Sequence, residues 1–146
     1  MKVVSRECVF CQILAGQKHQ PIIYQDALCT AFMDINQPNP YHTLIVPNDH
    51  VESVYDLRPE QAAAIFQASV SICRAIRDAS NCAGIHQIGN NGRAAGQTVF
   101  HFHLHLMPRF TGDLAKMALY LFGRKSIKTD VVLDQMANDL RAKLTR

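Results

Sequence analysis

Two periods run along this chain. Apolar and polar residues alternate over residues 27–33, where Leu28, Thr30 and Phe32 point one way and Cys29, Ala31 and Met33 the other. Residues 21–25 read as a strand joined tightly to this one near Asp26. Residues 42–46 read as a third strand, closed by Pro47, and residues 85–89 and 98–107 as two more. A helical period takes over at residues 58–80. Ala62, Ile65, Phe66, Ser69, Val70, Cys73 and Ile76 recur there at steps of three and four and predict one buried stripe, with Asp56 as its cap and Pro59 in the first turn. Residues 130–144 form a second amphipathic segment with Leu133, Met136, Leu140 and Leu144 on one side. Residues 11–15 predict a short helix or turn stopping at Gly16, and residues 114–122 another short helix. Residues 36–40 and 90–96, rich in Asn, Pro and Gly, are loops. Strands, helix, strands, helix implies an α+β fold: an antiparallel sheet with helices on one face.

A chain of 146 residues predicts a single domain, with a core over about residues 8–110 and a helical extension over residues 111–146. Hydrophobic residues at 48% and charged residues at 18% argue against a disordered chain. No apolar run approaches the ~20 residues of a membrane span. Residues 1–10 do not read as a signal peptide, and the expected setting is cytoplasmic. A net charge of +3, with no clustered Lys and Arg, argues against a nucleic-acid surface. Five cysteines, an odd number, argue against a disulfide framework.

The chemistry concentrates in His101, His103 and His105. Alternation places these on one face and Phe100, Phe102, Leu104 and Leu106 on the other, which fits the core. One half-buried strand with a stray histidine would be unremarkable, but three in alternation opposite four large apolar residues point to chemistry. A single metal held by all three is opposed by geometry, because residues four apart on a strand are ~13 Å apart and zinc–nitrogen bonds are ~2 Å long. At least one imidazole is left for nucleophilic attack or proton transfer. The loop ahead of them, with Asn90, Gly92, Gly96, Gln97 and Thr98, offers amides, a hydroxyl and close backbone approach, a candidate anion pocket. Cys8 and Cys11 have C-x-x-C spacing, which by itself is redox-active, zinc-binding or coincidental. Cys29, Cys73 and Cys82 read as inert thiols.

Asp34-Ile35, Pro40-Tyr41-His42-Thr43-Leu44-Ile45-Val46-Pro47, Asn90, and Gly96-Gln97-Thr98-Val99-Phe100-His101-Phe102-His103-Leu104-His105 together resemble the histidine-triad family of nucleotide-binding proteins. The resemblance covers about residues 8–110. It implies a nucleotide hydrolase or transferase acting at the α-phosphorus, and a homodimer in which two five-stranded sheets join. His103 then corresponds to the nucleophile that forms a nucleotidyl-histidine intermediate. His105 corresponds to the histidine that contacts the phosphate and assists the leaving group, and His42 supports both. Asn90, Gln97 and Thr98 correspond to phosphate- and leaving-group-contacting residues, Asp34 to the acid that holds the ribose hydroxyls, and Ile35 to an apolar base contact. The related uridylyltransferases carry Gln at the third triad position, where this chain keeps His105. In the zinc-bearing branch the resemblance also implies a closed, structural zinc site made of Cys8, Cys11, His50 and His101. The chemistry itself would need no cofactor.

The implied ligand is a nucleotide with a purine base, as a phosphoramidate or a dinucleoside polyphosphate. A purine-nucleotide binding or sensing protein with little turnover is the competing reading, and a zinc hydrolase using the triad as ligands is disfavoured by strand geometry. Beyond Phe110 the chain departs from the compact phosphoramidase branch. Arg124, Lys125 and Lys128 are either a solvated surface or contacts to a long nucleotide's phosphates, and the extension could shape the pocket mouth of a partner subunit.

Overall fold

The computed structural model describes residues 5–144; residues 1–4, part of the segment read against a signal peptide, lie outside them. The elements run α1 (Val9–Leu14), β1 (Ile22–Gln25), β2 (Cys29–Met33), β3 (Thr43–Pro47), α2 (Pro59–Ser80), β4 (Gly84–Gly89), β5 (Leu104–Arg109), α3 (Leu114–Leu121) and α4 (Asp130–Leu144). The strands form one antiparallel sheet of order β1-β2-β3-β5-β4. The tight turn at Asp26 has a local cause: its Oδ1 accepts the N–H groups of Leu28 and Cys29, each at 2.7 Å. Among the described residues, no helix is long and apolar enough to cross a membrane.

The sheet divides its buried side chains between two clusters. Cys29, Ala31, Met33, Ile45, Phe102, Leu104 and Leu106 meet Ile65, Ile72 and Ile76 of α2 and Leu133 and Leu140 of α4. Phe32, Leu44 and Val46 face the other way and are covered by Phe10, Cys11 and Ile13 of α1. The two long helices thus share one face, as the alternation implied, and the short N-terminal helix covers part of the other. That helix begins at Val9, two residues earlier than its pattern suggests, because Cys8 Sγ accepts the Cys11 N–H at 3.5 Å and caps it.

Four readings of the chain need correction. The predicted strand over residues 98–107 forms a ladder only from Leu104 to Arg109. Pro47, at the end of β3, has no N–H to give, its carbonyl accepts from His101 Nε2 at 3.0 Å, and Phe102 N–H turns instead to Val51 O at 2.6 Å. His101 and His103 therefore precede the ladder, yet both rings still face Phe10 of α1 while Phe102 packs in the cluster under α2 and α4. Phe100 leaves the core pattern and is half-buried, with the Arg93 guanidinium 4.8 Å over its ring. On α2 the buried stripe is turned toward the alanines: Gln61, Ala64, Ile65, Ala68, Ser69, Ile72, Ala75 and Ile76 are buried, while Phe66 and Val70 are 58% and 50% exposed. Asp56 does not cap this helix. It accepts from Ser53 Oγ at 3.1 Å, and Gln61 Oε1 accepts the Arg58 N–H at 3.0 Å at the helix start.

Candidate active site

The histidines ahead of and on β5 meet side chains from α1, β3 and the loops around them. His101 is fully buried. Its Nε2 must carry the proton, because it donates to the Pro47 carbonyl, so its Nδ1 presents a lone pair. That Nδ1 lies 3.4 Å from Cys8 Sγ and 3.6 Å from Cys11 Sγ, and His50 Nδ1 lies 3.5 Å from Cys11 Sγ. Zinc bonds of about 2.3 Å to sulfur and 2.05 Å to nitrogen at tetrahedral angles would set sulfur and nitrogen about 3.6 Å apart. The observed separations match that edge, and all four ligand atoms lie within 4.8 Å of one another. N–H groups of Ser5 and Cys11 point at Cys11 and Cys8 sulfur, each at 3.5 Å, as thiolates require. Burial pushes His101 down to about 4, so the ring stays neutral and able to bind a metal. The four residues fit a closed metal site.

The same backbone residue orients the next imidazole. His103 Nδ1 donates to the His101 carbonyl at 2.8 Å, so its lone pair is on Nε2. Phe10 stands edge-on to both rings, with centroids at 5.8 Å from His101 and 5.2 Å from His103. His103 is only 6% exposed. Its Nε2 nevertheless has no protein partner, and no buried side-chain nitrogen among the described residues lacks one, so that atom reaches solvent. The middle imidazole is thus neither lost among hydrocarbon side chains nor drawn into the Cys–His cluster.

A second chain of fixed tautomers runs beside it. His42, on the residue before β3 and fully buried, donates from Nδ1 to Asn36 O at 2.7 Å. Its Nε2 must therefore accept, and the partner is His105 Nδ1–H at 2.9 Å. The His105 ring lies 4.8 Å from His103, and burial with its two histidine neighbours pushes it down to about 3. Burial also lowers His103. Asp34 Oδ2 stands 3.5 Å from His42 Nδ1, and its Oδ1 accepts the Asn36 N–H at 2.9 Å. Asp34, His42 and His105 come close enough to share an ion. Both His42 nitrogens are already hydrogen-bonded, however, so the group is a relay in this structure.

Asp34, His42, His103 and His105 are thus brought together, and Ile35, 47% exposed, adjoins them in sequence. The loop residues are placed differently. Gln97 is buried, and its amide is spent on the loop itself: Oε1 accepts Gly92 N–H at 2.7 Å and Nε2 donates to Glu52 O and Val99 O at 2.6 and 3.1 Å. Asn90 Nδ2 donates to Gly96 O at 3.4 Å, and Thr98 is exposed. Gly96 sits at φ +82, which L side chains rarely adopt, so this loop needs glycine there. Periodicity had no signal for Tyr120 on α3, whose ring stands edge-on to His42 at 6.1 Å.

The HIT domain family matches residues 15–112. The chain belongs to the HIT family. Among relatives of this HIT protein, Protein hit of Bacillus subtilis is 42% identical over 106 residues, covering 73% of each chain. Adenylylsulfatase HINT3 of Arabidopsis thaliana is 32% identical over 141 residues, covering 97% of this chain and 71% of its own. A zinc-bound histidine triad family protein from Mycobacterium smegmatis superposes with a TM-score of 0.79 at 34% identity, over 95% of this chain and 94% of that one. The Mycobacterium smegmatis protein shares this chain's fold and is zinc-bound.

Proposed function

We propose that this HIT protein hydrolyses a nucleotide at its α-phosphorus through His103. The observation that carries the reading is the pair of fixed tautomers: His101 O holds the His103 Nδ1 proton, which leaves Nε2 open to solvent next to the His42–His105 chain. In the first step His103 Nε2 donates its lone pair to the phosphorus. A P–N bond forms, the bond to the leaving group breaks, and the leaving group departs with that electron pair and takes a proton from His105 or from water. In the second step water adds to phosphorus and gives a proton to His105 or to solvent, the P–N bond breaks with its electron pair returning to His103 Nε2, and the nucleoside monophosphate leaves. A covalent intermediate divides one high barrier into two lower ones. A bound phosphate's negative charge favours a protonated His105, which can then donate to its oxygens.

Asp34 offers Oδ2 to the sugar, and exposed Ile35 an apolar surface to a purine. Gln97 acts by fixing the loop whose N–H groups, with Asn90 and Thr98, face the phosphate and leaving group. The substrate class is a purine nucleoside phosphoramidate, a dinucleoside polyphosphate or, by analogy with the plant relative, adenylyl sulfate. Zinc fits Cys8, Cys11, His50 and His101 and would act structurally there, since four protein ligands leave no open position. The five free cysteines suit a reducing, cytoplasmic setting.

The sheet edge supports the reading of a homodimer. β4 is an outer strand with one side unpaired, and α2 exposes Phe66 and Val70. Pairing β4 with its copy would join the two sheets and cover such residues.

His103→Ala is the direct test. With adenosine phosphoramidate, diadenosine tetraphosphate and adenylyl sulfate as substrates, turnover should vanish while AMP still binds. Mass spectrometry of the wild type should trap a chain heavier by one nucleotidyl group, on the peptide containing His103. Undiminished turnover would refute the nucleophile. AMP binding without turnover of any substrate would leave the nucleotide-sensing reading.

A further inference from the structure

Tyr120 lies on α3, beyond residue 112 where the family match ends. The extension nevertheless returns it to the site. Buried Asn39 donates from Nδ2 to Pro108 O and to the Asp113 carboxylate, both at 2.8 Å, and accepts from Lys116 Nζ at 3.1 Å. After α3 the chain runs beside the loop that carries Asp34. Gln37 N–H donates to Ser126 O at 2.9 Å, Ser126 N–H to Asn36 Oδ1 at 2.7 Å, and Lys128 N–H to Ile35 O at 3.1 Å. The helix is tied down at both ends against residues 34–39.

Held there, the Tyr120 ring meets His42 at an interplanar angle of 89°, on the residue whose Nδ1 lies 3.5 Å from Asp34 Oδ2. The Tyr120 hydroxyl has no protein partner. Every buried side-chain oxygen among the described residues has one, so this hydroxyl reaches solvent. Burial and the Asp34 charge push the phenol up to about 12, which keeps it an O–H donor at neutral pH. A carboxylate can only accept, whereas a sugar hydroxyl donates and accepts at once. Asp34 alone would leave the accepting side of that hydroxyl unused.

We infer that Tyr120 and Asp34 read the ribose 2′-hydroxyl together, Asp34 Oδ2 accepting its proton and the Tyr120 hydroxyl donating to its oxygen. The extension, together with Asp34, then distinguishes ribo- from deoxyribonucleotides. This rests on the nucleotide reading above and deepens it.

The test titrates AMP and 2′-deoxy-AMP calorimetrically into the wild type and into Tyr120→Phe. One neutral hydrogen bond corresponds to about a three- to tenfold change in Kd. The wild type should prefer AMP. Tyr120→Phe should weaken AMP about three- to tenfold, leave 2′-deoxy-AMP within about twofold, and melt at the wild-type temperature. Equal weakening of both nucleotides would show a packing role only and overturn the inference, as would no change in either. A wild type that binds both equally overturns this inference alone. A wild type that binds neither and turns over no nucleotide overturns the parent reading with it.

Discussion

Cys8→Ala tests the coupling between the Cys–His cluster and the nucleophile. The variant removes one of the four groups of the Cys–His cluster and takes from the fully buried His101 Nδ1 the nearer of its two sulfur neighbours, at 3.4 Å, leaving Cys11 Sγ at 3.6 Å. Two costs follow. Losing one of two sulfur partners of a buried ring nitrogen costs at most about 1 kcal/mol. Losing a metal present at a hundred times its Kd removes about 2.7 kcal/mol, since a ligand stabilises only the state that binds it. The two overlap, because a bound metal would also be the partner of His101, so the net loss is about 3 kcal/mol. For a chain of this size each kcal/mol moves Tm by about 2–4 °C, giving a drop of about 6–12 °C. The His101 ring faces the Cys–His cluster while its carbonyl orients His103 Nδ1 at 2.8 Å, so turnover should fall along with stability. Elemental analysis should find one zinc per wild-type chain and much less in the variant. Thermal melts followed by circular dichroism, with and without chelator, supply the second readout. A metal-free wild type whose Tm is unmoved by chelator, with Cys8→Ala melting beside it, would refute the site and the coupling.

Other perturbations probe the frame around the site. The Arg109 guanidinium, 2.6 Å from the Asp113 carboxylate, holds that buried acid well below its ordinary range. A depressed carboxyl stabilises the fold above its unfolded value of about 4 and loses that contribution as pH falls toward the folded value. Asp113→Asn should therefore cost about 3 kcal/mol in urea melts at pH 7, and the gap to wild type should narrow steadily below about pH 4; a gap independent of pH would contradict this account. Phe66→Glu places a charge on the exposed face of α2 beside the open β4 edge, and sedimentation should show a monomer in place of a dimer. A wild type that sediments as a monomer at micromolar concentration removes the dimer.

Much of the frame was legible in local periodicity. Phe102, Leu104 and Leu106 face the helices as the alternation implied, even though the ladder starts only at Leu104. Extended backbone alternates its side chains whether or not a neighbour pairs with it. The stripe on α2 was harder to read. A period of 3.6 locates an apolar side but not its centre, and large residues at its margin, Phe66 and Val70, outweigh the alanines that the sheet allows to approach closely. Gln97 shows another limit: an amide next to a phosphate-type loop can serve the loop itself, and only coordinates reveal that its three hydrogen bonds are already made.

By itself the sequence determined the α+β arrangement, the separation of three imidazoles from the apolar side chains of Phe102, Leu104 and Leu106, and the family to which they belong. Each of these is written in the order and spacing of neighbouring residues. Tertiary structure alone decided which nitrogen of each imidazole is free, because tautomers are set by carbonyls such as Pro47 O, His101 O and Asn36 O. It alone gathered Cys8 and Cys11 with His50 and His101, and it alone seated Tyr120 against His42. Such partners lie far apart along the chain, and a hydrogen bond or a ligand edge depends on distances in space that no local pattern encodes.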